Sequence, residues 1–134
     1  MGILNVVVGI DGTESSDHAM HFAIGLAARE RARVSACFVS HPLIVTYPAG
    51  LVPIDFEAYA TALDNQFTDE LKLAGVCGCF YHREGDAVVE LKRLADEQLA
   101  DIIAVGRSRH PHLHVSSVPR RLLDISGHAV LIVP

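Results

Sequence analysis

The sequence predicts an α/β domain built on an open, doubly wound, five-stranded parallel sheet with helices on both faces. Three observations predict it. Ile3–Ile10 (ILNVVVGI), Ile102–Val105 (IIAV) and Val130–Val133 (VLIV) are short, nearly unbroken apolar runs rich in β-branched residues. Such runs suit strands buried on both faces. Between them the apolar residues recur at three- and four-residue steps, the period of a helix with one buried face. The two patterns alternate along 134 residues, a length that gives one domain, 1–134, a substantial core and is short for two.

After the first strand, Ala19, Phe22, Ala23, Leu26 and Ala27 mark a helix over 16–31, with Thr13, Ser15, Ser16 and Asp17 as capping chemistry. Val34–Ser40 and Val76–His82 are weaker strand candidates. Phe56, Ala60, Leu63, Phe67, Leu71 and Ala74 form one stripe over 54–74, and Val88, Leu91, Leu94, Ala95 and Leu99 form another over 85–99. Val118, Leu122 and Ile125 give a short last helix, which Gly127 is placed to end. Right-handed crossovers between such elements give a Rossmann-like order, β-α-β-α-β-α-β-α-β. The segment His41–Pro53 (HPLIVTYPAGLVP) is long and apolar for a connection. A loop packed over its own sheet is the expectation there, and a ligand- or partner-facing flap is the alternative.

Composition narrows the function. Half the residues are hydrophobic and mean hydropathy is +0.30, which excludes a disordered linker. A net charge of −5 argues against a nucleic-acid partner. No apolar run approaches the roughly 20 residues of a membrane span, so no membrane association is expected. The start, Met1–Val6, has no basic n-region of a signal peptide. Cys37, Cys77 and Cys79 are an odd set, which fits a reducing cytoplasm better than a disulfide framework.

In a doubly wound sheet, ligands sit beyond the C-terminal strand ends where the winding reverses. Two segments leave strands there with suitable chemistry. One is Gly9-Ile10-Asp11-Gly12-Thr13. The other runs from Val105 and Gly106 to Val118 (GRSRHPHLHVSSV from Gly106) and leads into the last helix. Glycines permit close approach of backbone to ligand, and a helix N-terminus favours an anion. The second segment and the helix after it are basic, with Arg107, Arg109, Arg120 and Arg121 against Asp124, and Arg suits phosphate. Ordinary surface charge on a solvated loop is the plain alternative.

Four segments, Val6–Ser16 (VVVGIDGTESS), Glu84–Leu91 (EGDAVVEL), Ala100–Gly106 (ADIIAVG) and His128–Pro134 (HAVLIVP), together resemble the universal stress protein family in order and spacing. The resemblance covers nearly the whole chain. It implies a strand order 3-2-1-4-5 and, commonly, a homodimer formed along the last strand. It also implies a role in stress response or signalling, with or without bound ATP. ATP-binding members carry Gly-x2-Gly-x9-Gly-Ser/Thr after strand four, an Asp after strand one and a Val after strand two. Asp11 matches that Asp, Val39 the Val and Gly106 the first glycine. Arg109 stands at the second glycine, Ser116 at the third, and Ser117 takes the hydroxyl position ahead of Val118. Only six residues separate Arg109 from Ser116, three fewer than in the pattern. A Cβ where backbone must approach phosphate blocks that approach. Arg109 itself can pair with phosphate, and Ser116 or Ser117 can cap the last helix.

Other constellations lead elsewhere. His110, His112 and His114 alternate, so an extended loop would put them on one side as candidate ligands for Zn, Ni or Cu. No Cys or carboxylate lies close in sequence to complete a shell, and a polar loop is the expectation. Clustered His⁺ would also add charge beside the arginines at acid pH. Cys77 and Cys79 form a C-x-C facing one side of a strand; buried small hydrophobes are expected. Asp11-Gly12-Thr13 resembles the phosphatase signature Asp-x-Asp-Gly-Thr, but Gly9 stands at the nucleophile. Receiver-domain chemistry is absent around Tyr81-His82-Arg83, and there is no P-loop. His18 and His21, beside Ser15 and Asp17, read as solvated helix residues, with no nucleophile elbow around Ser15.

The expectation is a non-catalytic universal-stress-type protein that acts through homodimerisation and contacts with unidentified protein partners. The alternative is an adenine-nucleotide (ATP)-binding regulator with at most slow hydrolysis. Its site would comprise Gly9, Ile10, Asp11, Val39, Val105, Gly106, Arg109, Ser116, Ser117 and Val118. A metal-responsive module using the loop histidines is the remote third.

Overall fold

The structure, a computed structural model, describes residues 2–41, 44–48, 50–53, 55–107 and 118–134. In chain order the elements are β1 (Asn5–Gly9), α1 (Glu14–Glu30), β2 (Arg33–Ser40), β3 (Ile44–Tyr47), β4 (Gly50–Pro53), α2 (Glu57–Ala74), β5 (Gly78–Glu84), α3 (Ala87–Gln98), β6 (Ile102–Gly106), α4 (Val118–Ile125) and β7 (Ala129–Val133). Val6, Val7 and Val8 are all buried, because β1 is the central strand and both its faces are covered. It pairs in parallel with β2 on one side and β6 on the other. The five strands lie in the order β5-β2-β1-β6-β7, which is 3-2-1-4-5 when they are numbered among themselves.

Alternation along the strands divides the core in two. Val6, Val8, Val34, Ala36 and Phe38 face α1 and α2, where Met20, Ala23, Leu63 and Phe67 meet them. Val7, Cys37, Ile103 and Val105 face α3 and α4, where Val88, Leu91, Leu94 and Leu122 meet them. Most residues of the apolar stripes lie on these buried faces, but Phe22, Ala74, Leu99 and Ile125, which the periodicity placed there, are exposed at the stripe margins or helix ends. Helix ends follow the capping chemistry. The Thr13 side chain accepts from the Ser16 N–H at the start of α1, and Asp86 accepts from Val89 at the start of α3. Gly127 has a φ of 70° just past α4, as its placement predicted.

Two expectations need correction. The segment 41–53 is not simply a loop: β3 and β4 pair antiparallel as a hairpin, Ile44 with Pro53 through Tyr47 with Gly50. The β-branched residues Ile44, Val45, Thr46 and Val52, with Val52 opposite Val45, supply the strand preference that the prolines obscured. The other correction concerns Cys77 and Cys79. Both are exposed, and only Cys37 is buried. β5 is an edge strand, and α3 does not extend over its first residues.

The face-to-face packing of α1 and α2 carries a pH-sensitive contact. His21 Nδ1–H donates to the Asp17 carbonyl at 2.8 Å, and Nε2 lies 3.4 Å from Glu70 Oε2. The backbone hydrogen bond to Asp17, with the carboxylates of Asp17 and Glu70 behind it, raises the imidazole above its usual value. A raised folded-state value means stability present in full below the unfolded pKa of about 6.5 and lost as pH rises through the higher folded value. The side chain is 47 % exposed, so screening holds the contribution to about 0.3 kcal/mol. His21→Gln is expected to flatten that part of the urea-midpoint profile between about pH 6 and 8.

Candidate functional site

The chain runs β1→β2→β5 in one direction across the sheet and then returns to β6→β7 on the other side of β1. The winding therefore reverses between β1 and β6, and a crevice opens beyond their C-terminal ends. A cavity of about 260 Å³ occupies it. Ile10, Cys37, Val39, Leu91, Val105 and Val118 form an apolar lining, and Asp11, Thr13, Ser15 and Arg107 bring polar groups to it. An apolar chamber with a few convergent polar groups is the general form of a small-molecule site.

The loop after β1 is held by its own side chains. Asp11 Oδ1 accepts from the Thr13 N–H at 2.9 Å and from Thr13 Oγ1 at 2.6 Å. The Asp11 N–H donates to Ser16 Oγ at 3.1 Å, and that hydroxyl donates on to the Thr13 carbonyl at 3.2 Å. From the far side, Tyr59 of α2 donates its hydroxyl proton to the Asp11 carbonyl at 2.6 Å. Among the described residues, Asp11 Oδ2 has no partner. The carboxylate is thus oriented at the cavity edge with one oxygen available.

The opposite wall is the end of β6. Ser15 Oγ donates to the Arg107 carbonyl at 3.0 Å, which ties the first turn of α1 to this strand end. Gly106 lies so close to that turn that a Cβ would stand 2.5 Å from the Ser15 carbonyl carbon and 2.6 Å from the Ser16 nitrogen. At the back, burial pushes the Cys37 thiol up to about 12, so it stays protonated and is no nucleophile. A charged network lies on the same side of the sheet: Arg83 pairs with Glu97 at 2.6 Å, and the buried Glu90 pairs with Arg93 at 2.6 Å.

Of the residues the sequence singled out, Gly9, Ile10, Asp11, Val39, Val105, Gly106 and Val118 all line the one cavity. Arg109, Ser116 and Ser117 lie outside the described residues, as do His110, His112 and His114. Among the described residues, no cluster of three or more His, Cys, Asp or Glu is arranged to hold a metal ion. The arginines divide. Arg107 lines the cavity, whereas Arg121 makes two hydrogen bonds, at 2.9 and 3.1 Å, to the Asp86 carboxylate that caps α3. That pairing, then the Val89 N–H, holds the Asp86 carboxyl below the usual range. Sequence reasoning missed Leu91 and Ala87 of α3 as lining residues, and Tyr59 as the support of Asp11. Leu91 read as core stripe, Ala87 as no more than part of the segment Glu84–Leu91, and Tyr59 is 48 residues from Asp11 along the chain.

The fold and its crevice define a class: an open α/β domain with a ligand-sized cavity at the switch point of a parallel sheet. Comparison with known proteins makes this specific. The sequence model of the universal stress protein family matches residues 2–134, and the chain belongs to that family. A universal stress protein from Burkholderia pseudomallei superposes with a TM-score of 0.78 at 25 % identity, covering 97 % of this chain and 95 % of its own. A universal stress protein solved in complex with cAMP superposes with a TM-score of 0.79 at 28 % identity, covering 99 % and 98 %. Another, from Archaeoglobus fulgidus in complex with dAMP, shares the fold at a TM-score of 0.73 and 16 % identity over the full length of both chains. No curated protein sequence matches. Among the described residues no helix is long and apolar enough to cross a membrane.

Proposed function

We propose that this chain is a regulatory universal stress protein that binds an adenine nucleotide in the β1/β6 crevice and catalyses no turnover of it. The observation that carries this reading is the convergence of Asp11, Val39 and Gly106, three separated motif positions, on one cavity. The relative solved with cAMP supports the same ligand class. Size favours a compact ligand: 260 Å³ is just under the roughly 300–1,000 Å³ of drug-sized pockets. The replacement of two motif glycines by Arg109 and Ser116 works against a triphosphate tail. A monophosphate such as cAMP or AMP is therefore preferred to ATP. The hydroxyl–carboxylate contact in the described lining, Thr13 to Asp11, holds the loop after β1 at the cap of α1, and the shortened motif loop favours binding and signalling over hydrolysis.

Assembly belongs to the same reading. β7 is an edge strand, Ile132 on it is 41 % exposed, and Leu123 and Ile125 of the neighbouring α4 are exposed too. An apolar edge of this kind pairs readily with a second copy. Homodimerisation along β7 and contacts to protein partners then carry the output.

Calorimetric titration with cAMP, AMP, ATP and GMP tests the proposal, with light scattering on the same samples. The adenine monophosphates are expected to bind more tightly than ATP and GMP, and Asp11→Ala to weaken them about tenfold, or 1.4 kcal/mol. Silence for every adenine compound at millimolar concentration would remove the nucleotide reading and leave the partner-binding one. A monomer at high micromolar concentration would remove the dimer.

A further inference from the structure

We propose that Cys77 and Cys79 are a redox-active dithiol that hydroperoxides oxidise to an intramolecular disulfide, at the end of the sheet away from the nucleotide crevice. Cysteine is among the most buried residue types. Here two of three thiols are exposed, Cys77 just before the edge strand β5 and Cys79 as its second residue. The third, Cys37, is buried and its thiol is pushed up to about 12, so it is the inert comparison within the same sheet.

Their placement favours reaction with each other. Val76 and Phe80 pack on the α1/α2 core and Tyr81 on the α3/α4 core, so strand alternation turns Cys77 and Cys79 together to the α3 side. Two residues of extended chain separate both the Cα and the same-face Cβ atoms by about 6.6 Å. That lies within the roughly 4.4–6.8 Å Cα range of a disulfide but beyond its Cβ separation of about 3.5–4.5 Å, so closure requires the chain to bend between the two cysteines. That bend is local, because it falls where the chain enters β5. Cys77 precedes β5, and its carbonyl accepts one backbone hydrogen bond, from Val34 at 3.1 Å. Between them stands Gly78, packed against the Val34 carbonyl on the other face of the strand, and a glycine leaves the backbone the freedom the bend needs. A disulfide drawn across this span is strained and therefore easily reduced, which suits a reversible signal rather than a structural staple.

The chemistry balances with a hydroperoxide as the oxidant. The thiolate of one cysteine attacks the peroxide, an S–O bond forms as O–O breaks, and the departing oxygen leaves with the proton that the thiol released. The second thiolate attacks the sulfenic sulfur, S–S forms as S–O breaks, and the hydroxide leaves as water with the second proton. Two sulfurs lose two electrons and the peroxide gains them. Attack within the chain outruns attack between chains, because a thiol two residues away has an effective concentration of order millimolar or above.

Intact-mass analysis of the full chain treated with hydrogen peroxide at micromolar protein tests this. The expected result is a monomer lighter by about 2 Da, restored by dithiothreitol. Trypsin should place the loss on Leu73–Arg83, the one fragment that holds both residues. Cys77→Ser and Cys79→Ser should each abolish it, and Cys37→Ser should leave it. Both exposed positions tolerate serine without disturbing the core. Inter-chain dimers alone, oxygen addition without hydrogen loss, a bond to Cys37, or no reaction would overturn the proposal. The crevice plays no part in this readout, so the outcome is independent of nucleotide binding.

Discussion

Replacing Gly106 by alanine is expected to cost about 3 kcal/mol of stability, a severe loss for one methyl group. The added Cβ would stand 2.5 Å from the Ser15 carbonyl carbon, 2.6 Å from the Ser16 nitrogen and 2.7 Å from the Ser15 oxygen. All three are backbone atoms of the first turn of α1, so no rotamer change relieves the contact. Ser15 Oγ is bonded to the Arg107 carbonyl and Ser16 is buried, so the turn is fixed on both sides. The start of the helix has to move away from β6, carrying Ala19, Met20 and Ala23 out of their packing. Urea denaturation should show a lower midpoint with an unchanged slope. Gly9→Ala is the internal comparison. Its Cβ would meet Leu91 Cδ1 at 3.2 Å and Val105 Cγ1 at 3.4 Å, the ends of side chains that can give, so the cost should stay under about 1 kcal/mol. Equal losses at the two glycines would refute the backbone argument.

That contrast also shows where the sequence stops speaking. As a string, Gly9 and Gly106 are equivalent: each ends an apolar strand and each permits close approach. Their difference lies in what packs against them from elsewhere in the chain, a flexible leucine in one case and the turn of α1 in the other. The strands and helices were legible because burial imposes a period, and Val6–Val8 or Val88–Leu91–Leu94–Ala95 carry it plainly. The crevice was legible because topology fixes where a parallel sheet reverses. The hairpin of β3 and β4 was not, since Pro48 and Pro53 read as breakers while pairing at a short two-stranded ribbon tolerates them at its ends. The exposure of Cys77 and Cys79 was not legible either. A strand residue's face follows from alternation, but whether a helix covers that face depends on where α3 ends.

The last such case concerns Gly12, and it yields the second large effect. Gly12→Ala is expected to cost about 2 kcal/mol and to lower affinity for an adenine monophosphate about tenfold. Gly12 has a φ of +84°, a conformation that costs an L side chain roughly 1 kcal/mol. Its Cβ would also lie 1.8 Å from the Tyr59 hydroxyl oxygen and 2.9 Å from Cζ. The tyrosine has to withdraw, and its 2.6 Å hydrogen bond to the Asp11 carbonyl is lost, about 1 kcal/mol more. Tyr59 also packs edge-on against Phe38, so its departure loosens the start of α2 as well as the loop. Asp11 is then held from one side only, through Thr13 and Ser16, and its carboxylate is less well oriented toward the crevice. Tyr59→Phe separates the parts: it deletes the hydrogen bond, leaves the glycine unstrained, and should cost about 1 kcal/mol. Because both substitutions break the same contact, the double variant should lose less than the sum of the two. Strict additivity in urea midpoints would mean that Gly12 acts through its backbone alone. A loss of stability without loss of affinity would mean that Asp11 needs no support from α2 to hold a ligand.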